Sequence, residues 1–236
     1  MILYSNSDSY GVLSQPGEDT PNGKVYSKFV ADKLGSKLVN RGRSGSSNSR
    51  IMRTSTRDLI KLRLENPSKK IQALISLGTT YRNESWTTDN QHPEDLDGHF
   101  KSFQASSQFE FWKTEQEDFA KHWVAQYDNE AEQTNLLWQV LMFTKTLKSY
   151  SIDYLIWWGT KIGVVKPINY DNTFIKDFYQ EFKEDKNILS FEDFGFCSWC
   201  LDQGYVPFDK DMFDDYGHHS PDAHQAFADY LLEYRV

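Results

Sequence analysis

An acidic residue and three histidines lie close together near the C-terminus, in the stretch DDYGHHSPDAH at residues 214–224. Aspartate and histidine side chains can transfer protons, bind a metal ion or pack in a core, and all three uses are open for this cluster. Asp215 precedes His218 by three residues, and this spacing can place both side chains on one side of a turn. His219 does not keep that spacing. His224 is expected to face inward from the helix that follows, as a hydrogen-bonded structural or pocket residue.

Polar and glycine-containing segments follow the apolar runs of the chain. NSDSYG follows the first run, NRGRSGSSN the second and GTTYRNE the third, and the acid–histidine cluster follows the last. In open parallel sheets, ligands bind beyond the carboxyl ends of the strands. We therefore expect these four segments to meet at one edge of a sheet and to form one site.

The elements that must position these segments alternate along the chain. The apolar runs MILYS, KLVN, IQALISLG and IDYLIWWG are typical of buried strands, and NILS at 187–190 is a candidate last strand. Helical periods lie between them, and the final helix begins with Ser220 as N-cap and Pro221 at its first position. The alternation predicts a single three-layered α/β domain of 236 residues, in which helices cover both faces of a parallel sheet.

The stretch 79–130 interrupts this alternation and is expected to be a helical insertion or a lid, since long segments of this kind in compact domains are usually functional. Residues 79–108 are polar and irregular, whereas 109–128 are aromatic, acidic and predicted to be helical. The aromatic side chains are expected to pack in the core or the lid, with sugar stacking as the alternative. Trp157 and Trp158 end a strand and are candidates for the rim of the pocket.

The four polar segments, in this order and spacing, resemble the SGNH (GDSL-like) hydrolase family. The resemblance implies a flavodoxin-like sheet and a Ser-His-Asp triad. Ser7-Asp8-Ser9 stands where the family has Gly-Asp-Ser, so Ser9 is the candidate nucleophile. The stretch from Asp215 to His218 stands where the family has Asp-x-x-His. His218 is therefore the candidate base, and Asp215 is the residue that orients it.

The resemblance also suggests which groups hold an oxyanion. Gly45 matches the glycine whose backbone N–H helps to form the oxyanion hole, and Gly78-Thr79-Thr80 stands where the family has Gly-x-Asn. Thr80 thus replaces an asparagine donor with a shorter side chain. Arg82 or Asn83 could fill the hole instead, or Arg82 could pair with Glu84 and shape the pocket. The candidate oxyanion and substrate-binding residues are Gly45, Thr80, Gly78, Arg82, Asn48 and His224, the last of which matches a second histidine of the family.

The resemblance implies a serine hydrolase that cleaves small acyl esters, such as O-acetyl groups on carbohydrate, with no metal or organic cofactor. The change at Thr80 keeps a second function open, a catalytically weak or inactive binding or virion-associated module for an anionic glycan. Residues 41–70 hold nine Lys or Arg and two acidic residues. This basic stretch is either the glycan-binding face of such a module or a solvated helix surface balanced by acids elsewhere.

Composition restricts the other function classes. A formal net charge of −8 argues against nucleic acid or an anionic membrane as a partner. No apolar run is long enough for a signal peptide or a membrane span. We therefore expect a cytoplasmic protein, located in a host cell or a virion if its general resemblance to proteins of large tailed phages holds. The sequence does not indicate an oligomeric state.

Two further motifs are predicted to be structural. Cys197 and Cys200 form one CxxC pair, which is half of a zinc site, and the histidines that follow do not have finger spacing. They are expected to be reduced and packed, with a zinc or redox site as the alternative. GRSGSSN is rich in glycine but lacks the Gly-Lys-Ser/Thr of a P-loop and the spacing of a dinucleotide-binding fingerprint, so nucleotide binding is not expected.

Overall fold

The computed structural model of the protein describes residues 1–8, 11, 24–43, 46–78, 82–86, 100–104, 122, 125–126, 128–159, 173–189, 194–207 and 218–234. Over these residues the elements in chain order are β1 (Ile2–Asn6), α1 (Tyr26–Lys33), β2 (Lys37–Asn40), α2 (Asn48–Glu65), β3 (Ile71–Leu77), β4 (Arg82–Trp86), β5 (Phe100–Gln104), α3 (Asn129–Ser149), β6 (Asp153–Trp158), α4 (Thr173–Glu184), α5 (Phe196–Asp202) and α6 (Pro221–Tyr234). None of the helices among the described residues is long and apolar enough to cross a membrane.

Four strands form one parallel sheet in the order β2-β1-β3-β6. Two isolated parallel bridges extend the sheet beyond β6, one from Ile156 to Ile188 and one from Trp158 to Gly195. The candidate strand at 187–190 therefore contributes a bridge at Ile188 rather than a regular strand. The predicted parallel sheet is confirmed.

The core is divided into two layers because consecutive side chains of a strand point to opposite faces. On β3, Ile75 packs in a cluster with α2, α3 and α4, whereas Leu74 packs in a second cluster with α1, α5 and α6. On β6, Trp158 belongs to the first cluster and Trp157 to the second, and both are at least 98% buried. The three-layered architecture is confirmed. The expectation that the two tryptophans line a pocket rim is wrong, because helices cover both faces of the sheet.

The last helix begins at Pro221, as the sequence predicts, and two other helix ends are closed by local hydrogen bonds. Gly35, with φ of +56°, follows α1, and the N–H groups of Gly35 and Ser36 bond to the carbonyls of Asp32 and Ala31. This double hydrogen bond is the Schellman arrangement, which requires the left-handed conformation that glycine adopts freely. The Oγ of Ser47 accepts a hydrogen bond from the Arg50 N–H at 3.1 Å and thereby caps the start of α2.

The interrupting segment contains a feature that the sequence did not predict. β4 and β5 pair as antiparallel strands, with Arg82 opposite Gln104 and Trp86 opposite Phe100. The expectation of an irregular 79–108 stretch is therefore wrong for these ten residues. Most of the aromatic stretch 109–128 lies outside the described residues.

Candidate functional site

The end of β1 is tied to the middle of α2 by one buried asparagine. The Nδ2 of Asn6 donates to Thr54 Oγ1 at 2.7 Å and to Ser55 Oγ at 2.9 Å, with the Ile51 carbonyl at 3.2 Å. Its Oδ1 accepts the backbone N–H of Ser7 at 3.0 Å. Because all of these groups are largely shielded from water, the pairing determines where the chain leaves β1.

The loop that follows β1 packs directly against the loop that follows β2. The Ser7 Oγ donates to the carbonyl of Asp8 at 3.0 Å, and the Ser7 carbonyl accepts the Arg43 N–H at 3.1 Å. A Cβ atom added to Gly11 would come within 2.1 Å of Ser7 Oγ, and one added to Gly42 within 2.8 Å. Ser7 has no positive φ angle, so a serine fits without backbone strain at the position where the family has glycine.

The end of β3 meets the start of α2 through a reciprocal amide pair. The Asn48 Nδ2 donates to the Gly78 carbonyl at 3.0 Å, and the Gly78 N–H donates to the Asn48 Oδ1 at 2.8 Å. A Cβ atom on Gly78 would lie 3.2 Å from the Oδ2 of Asp8, a residue that is 1% exposed. The segments after β1, β2 and β3 therefore converge at one edge of the sheet. In the contacts described here, the side chain of Asn48 orients the backbone of Gly78.

The three C-terminal histidines differ in exposure. His218, three residues before α6, is partly exposed. His219 is fully buried, and its ring packs edge-on against Phe196 with 5.6 Å between the ring centroids. His224, which is 2% exposed, stacks on Phe196 with ring centroids 4.7 Å apart. Among the described residues, the His224 Nδ1 has no hydrogen-bond partner. The expected inward orientation of His224 is confirmed, but the expected hydrogen bond is absent at that atom.

Burial makes His224 a neutral side chain. Removal from water, together with the nearby His219 and His218, lowers the pKa of His224 from 6.5 to about 3. An imidazole with so low a pKa does not gain a proton near neutral pH. It cannot act there as an imidazolium, but it can pack as a polar ring in the wall of the site.

Tyr26 connects the loop after β1 to α6, and no local sequence pattern indicates this link. Its ring stacks on His224 at 5.8 Å and packs edge-on against Trp157 at 5.4 Å. A Cβ atom built on Gly11 would lie 2.7 Å from the Tyr26 Oη and 2.1 Å from the Ser7 Oγ. Both hydroxyl groups therefore border Gly11. Burial raises the pKa of Tyr26 above its ordinary value, although the Ser7 hydroxyl opposes this. The hydroxyl therefore stays neutral beside the strand ends.

Several candidate site residues are not placed by the structure. Ser9, Gly45, Thr80 and Asp215 lie outside the described residues, as do the contacts that a triad or an oxyanion hole would require. Arg82 begins β4. Their roles remain predictions.

Glu84 has an ion-pair partner that the sequence did not indicate. Its carboxylate accepts two hydrogen bonds from Arg53 of α2, from Nε at 3.2 Å and from Nη2 at 3.1 Å. This bidentate contact attaches the β4–β5 hairpin to the helical layer. The side chain of Arg82 lies outside the described residues, so the pairing of Glu84 with Arg82 stays a prediction.

Much of the basic stretch 41–70 is used within the fold. Arg41 and Arg57 each place Nε 2.8 Å from a carboxylate oxygen of Asp58. Arg63 donates to four backbone carbonyls, including those of Tyr150 and Ser151. These contacts agree with the interpretation of a helix surface balanced by acids, and they leave the glycan-binding interpretation without a structural observation in its favour.

Cys197 and Cys200 are buried in α5 and are not joined in a disulfide. Burial raises the pKa of Cys200 above its ordinary value, so the reactive thiolate is disfavoured. The expectation of packed, reduced cysteines is confirmed. Among the described residues, no group of three or more His, Cys, Asp or Glu side chains is placed to hold a metal ion.

Comparison with known proteins identifies the fold. No protein-family model matches the chain, and no curated protein matches it. A solved structure of a protein assigned to the lipolytic G-D-S-L family, from Desulfitobacterium hafniense, superposes with a TM-score of 0.51 at 12% identity, covering 99% of both chains. An α/β hydrolase from the metagenome of Lake Arreo has a TM-score of 0.47 at 15% identity, covering 99% of this chain and 94% of the other. The structure of a GDSL-like lipase from Parabacteroides merdae superposes with a TM-score of 0.44 at 14% identity, covering 99% of this chain and 94% of the other.

The resemblance to the SGNH (GDSL-like) hydrolases is therefore confirmed at the level of fold. The four-stranded parallel sheet and the helices on both of its faces match that fold. At 12% identity the likeness does not extend to substrate or residue roles. None of the comparisons bears on the phage-like character of the sequence.

Proposed function

We propose that the protein is a serine hydrolase that cleaves acyl esters at the carboxyl edge of its parallel sheet. The supporting observation is the meeting of three chain segments there. Ser7 and Asp8 after β1, Arg43 after β2, and Gly78 after β3 contact one another directly or through Asn48. Ser9 is the second residue after Ser7. His218 lies three residues before the start of α6, the helix whose His224 packs on Tyr26 beside the same loop.

In this proposal Ser9 attacks the ester carbonyl while His218 accepts its proton and then returns it to the leaving alcohol. Asp215 orients the imidazole and stabilises its charged form. Backbone N–H groups of Ser9 and Gly45 hold the oxyanion, and each such donor is worth about 3 kcal/mol of transition-state stabilisation. Thr80, or Arg82 in its place, supplies the third donor. Gly78, Asn48 and His224 shape the pocket.

The substrate of the proposed reaction is a small-molecule or glycan ester. O-acetyl groups on carbohydrate are the specific candidate. Such a group requires little room for the acyl part, and hydrolysis requires only water as co-substrate. The proposal therefore requires no metal or organic cofactor.

The test is hydrolysis of 4-nitrophenyl acetate by the wild type, by Ser9→Ala and by Ser68→Ala as the matched control. Ser68 is exposed in the turn before β3, at the opposite end of that strand from Gly78 and the site segments. We expect Ser9→Ala to lose about a thousandfold or more in kcat while keeping its fold, and Ser68→Ala to match the wild type. Equal activity in all three proteins would contradict the assignment of Ser9.

A folded wild type without turnover would favour the binding module for an anionic glycan. That alternative relies on the replacement of asparagine by Thr80. A glycan-binding measurement on the same preparation would then decide between a binding module and an inert fold. Because Arg41, Arg57 and Arg63 already hold partners in the fold, the enzyme is the function that the geometry supports better.

A further inference from the structure

Three hydroxyl groups lie on one face of the two central strands of the sheet. Ser5 belongs to β1 and Ser76 to β3, and these two strands pair with each other. Since side chains two positions apart on a strand share a face, Ser5 lies on the face of Leu3 and Ser76 on the face of Leu74. Both leucines pack in the core cluster that contains Tyr26 of α1. Ser5, Tyr26 and Ser76 are called the hydroxyl cluster below.

The hydroxyl cluster is sealed from the solvent. Each of its three residues is 0% exposed. Among the residues that the structure describes, none offers a hydrogen-bond partner to Ser5 Oγ, Tyr26 Oη or Ser76 Oγ. A buried hydroxyl without a partner destabilises a fold relative to phenylalanine or alanine at the same position. Three such groups in one place therefore call for a partner that the described side chains do not supply.

The serine hydroxyls lie near the Tyr26 Oη but do not bond to it. Burial raises the pKa of Tyr26, and the hydroxyls of Ser7, Ser5 and Ser76 oppose that rise because they lie within its range of interaction. The Ser7 Oγ already donates to the Asp8 carbonyl at 3.0 Å, whereas the oxygens of the hydroxyl cluster have no partner of this kind. Polar groups that approach one another without a direct bond are the setting in which a bridging water is expected.

Two rings that pack on Tyr26 add polar atoms to its surroundings. Trp157 lies opposite Ser76 in the strand register and packs edge-on against Tyr26 at 5.4 Å, and His224 stacks on Tyr26 at 5.8 Å. Trp157 Nε1 and His224 Nδ1 also have no partner among the described residues. A buried water requires two to four polar partners, and these surroundings offer that number. Because all of these side chains are at least 98% buried, water suits the place better than a larger polar ligand.

We propose that Ser5, Tyr26 and Ser76 bind one buried water molecule. The water accepts the Tyr26 O–H and donates one hydrogen atom to each serine Oγ, so that all three oxygens gain a partner. It joins α1 to β1 and β3 at a tyrosine hydroxyl that borders Gly11, in the loop that contains Ser9. The water thereby fixes the start of that loop, and this second part rests on the proposed function because it concerns the nucleophile.

The first arm of the test is urea unfolding at pH 7 of the full-length wild type, Tyr26→Phe, Ser5→Ala and Ser76→Ala. With the water in place, each substitution removes one of its hydrogen bonds, and the equilibrium constant for unfolding should rise about three- to tenfold. Without the water, each substitution removes an unpartnered buried hydroxyl, and the constant should stay the same or fall. The sign of the change therefore distinguishes the two cases.

Double variants show whether the three hydroxyls share one water. Each pair of substitutions within the hydroxyl cluster should raise the unfolding constant by less than the product of the two single effects, since both act on the same water. Tyr154→Phe is the matched control. Tyr154 is 4% exposed and donates to Asp185, but it lies near the amino end of β6. The effects of Tyr154→Phe and Tyr26→Phe should therefore multiply.

Three results would overturn the water site. Single variants as stable as the wild type or more stable would show that the hydroxyls have no partner. Coupling confined to one pair of the three would indicate a direct bond between two hydroxyls. A crystal structure of the wild type that shows direct hydroxyl bonds, in place of an ordered water about 2.5–3.0 Å from the three oxygens, would exclude the site in the same way.

The second arm measures kcat and KM for 4-nitrophenyl acetate under conditions in which every variant is folded. Tyr26→Phe should lower kcat at least about tenfold, because the loop is displaced, with KM changed by less than about twofold. Tyr154→Phe should match the wild type in both constants. An unchanged kcat in a destabilised Tyr26→Phe would overturn the effect on the loop and leave the water site standing. A folded wild type without turnover would contradict the proposed function instead, and the unfolding arm would still decide the water site.

Discussion

Replacement of His224 should remove a defined part of the acid sensitivity of the fold. In the folded protein the pKa of His224 is about 3, against 6.5 for an ordinary histidine, because burial disfavours the charged ring. Between these two values the unfolded chain binds a proton that the folded protein does not. Stability must therefore decrease as the pH falls below about 6.5, and continue to decrease until the pH reaches about 3.

The size of the effect follows from the same two values. Each pH unit within that range changes the free energy of unfolding by about 1.4 kcal/mol per proton. Between pH 7 and pH 5 the loss due to His224 is about 2 kcal/mol, because titration of the unfolded chain is incomplete near 6.5. This figure hardly changes for any folded pKa below about 4, so it does not depend on the exact pKa of the buried ring.

The assay is urea unfolding at pH 7 and pH 5, followed by tryptophan fluorescence, for the wild type, His224→Leu and His122→Leu. Leucine has a volume close to that of histidine and cannot be protonated. His122 is exposed, so His122→Leu should lose as much stability as the wild type between the two pH values. His224→Leu should lose about 2 kcal/mol less than the wild type. An equal loss in His224→Leu and wild type would refute the inference that a neutral, buried imidazole is present.

Three further substitutions test contacts around the site and the sheet. Gly42→Ala would place a Cβ atom 2.8 Å from the Ser7 Oγ. This overlap should lower the free energy of unfolding, measured in urea, by about 1–3 kcal/mol. An unchanged unfolding midpoint would contradict the close packing. Asn48→Ala leaves the N–H and C=O of Gly78 without the Asn48 side chain as a partner. The free energy of unfolding should fall by about 2–4 kcal/mol in the same assay. A decrease under about 1 kcal/mol would show that the fold does not depend on this amide pair. Burial opposes a lower pKa for Asp185, but hydrogen bonds from Lys148, Tyr154 and the Asn187 N–H hold it below its ordinary value. Asp185→Asn should therefore be about 1 kcal/mol less stable than the wild type at pH 7, and the difference should narrow as acid protonates the Asp185 carboxylate. A difference that does not narrow as the pH falls would contradict the charge-based explanation.

The sheet and its helices could be predicted because their signals are local. The seven residues of β3 are all buried, and the unbroken apolar run at 71–77 indicates such a strand directly. The start of α6 could be assigned because serine caps helices and proline fits their first position, and α6 begins at Pro221. Signals of this kind require only neighbours within a few positions of the chain.

The β4–β5 hairpin and its attachment were not predictable from the same signals. RNESW and FKSFQ lack the regular apolar alternation of a half-buried strand, and 13 residues separate them. The bond between Arg53 and Glu84 joins positions 31 apart in the chain. The hairpin therefore depends on contacts that only the folded chain provides.

The candidate site was predictable as a place but not as a set of contacts. The rule that ligands bind at the carboxyl edge brought the right segments together, and the contacts among Ser7, Asp8 and Gly78 confirm that they meet. No local pattern indicated that Asn6 would anchor this edge to α2 or that Tyr26 would link it to α6. Asn6 bonds to residues of α2 that lie at least 45 positions further along the chain, and Tyr26 packs on His224 of α6.

The central claim, that Ser9 is an activated nucleophile, is tested most directly by covalent labelling. The wild-type protein is treated with a fluorophosphonate, its intact mass is measured, and the modified residue is located by peptide mapping. The account predicts one added phosphonyl group per chain, on Ser9, with labelling abolished in His218→Ala and retained in Ser68→Ala. A folded protein that takes up no label, or that is labelled at another serine, would contradict the assignment of the nucleophile.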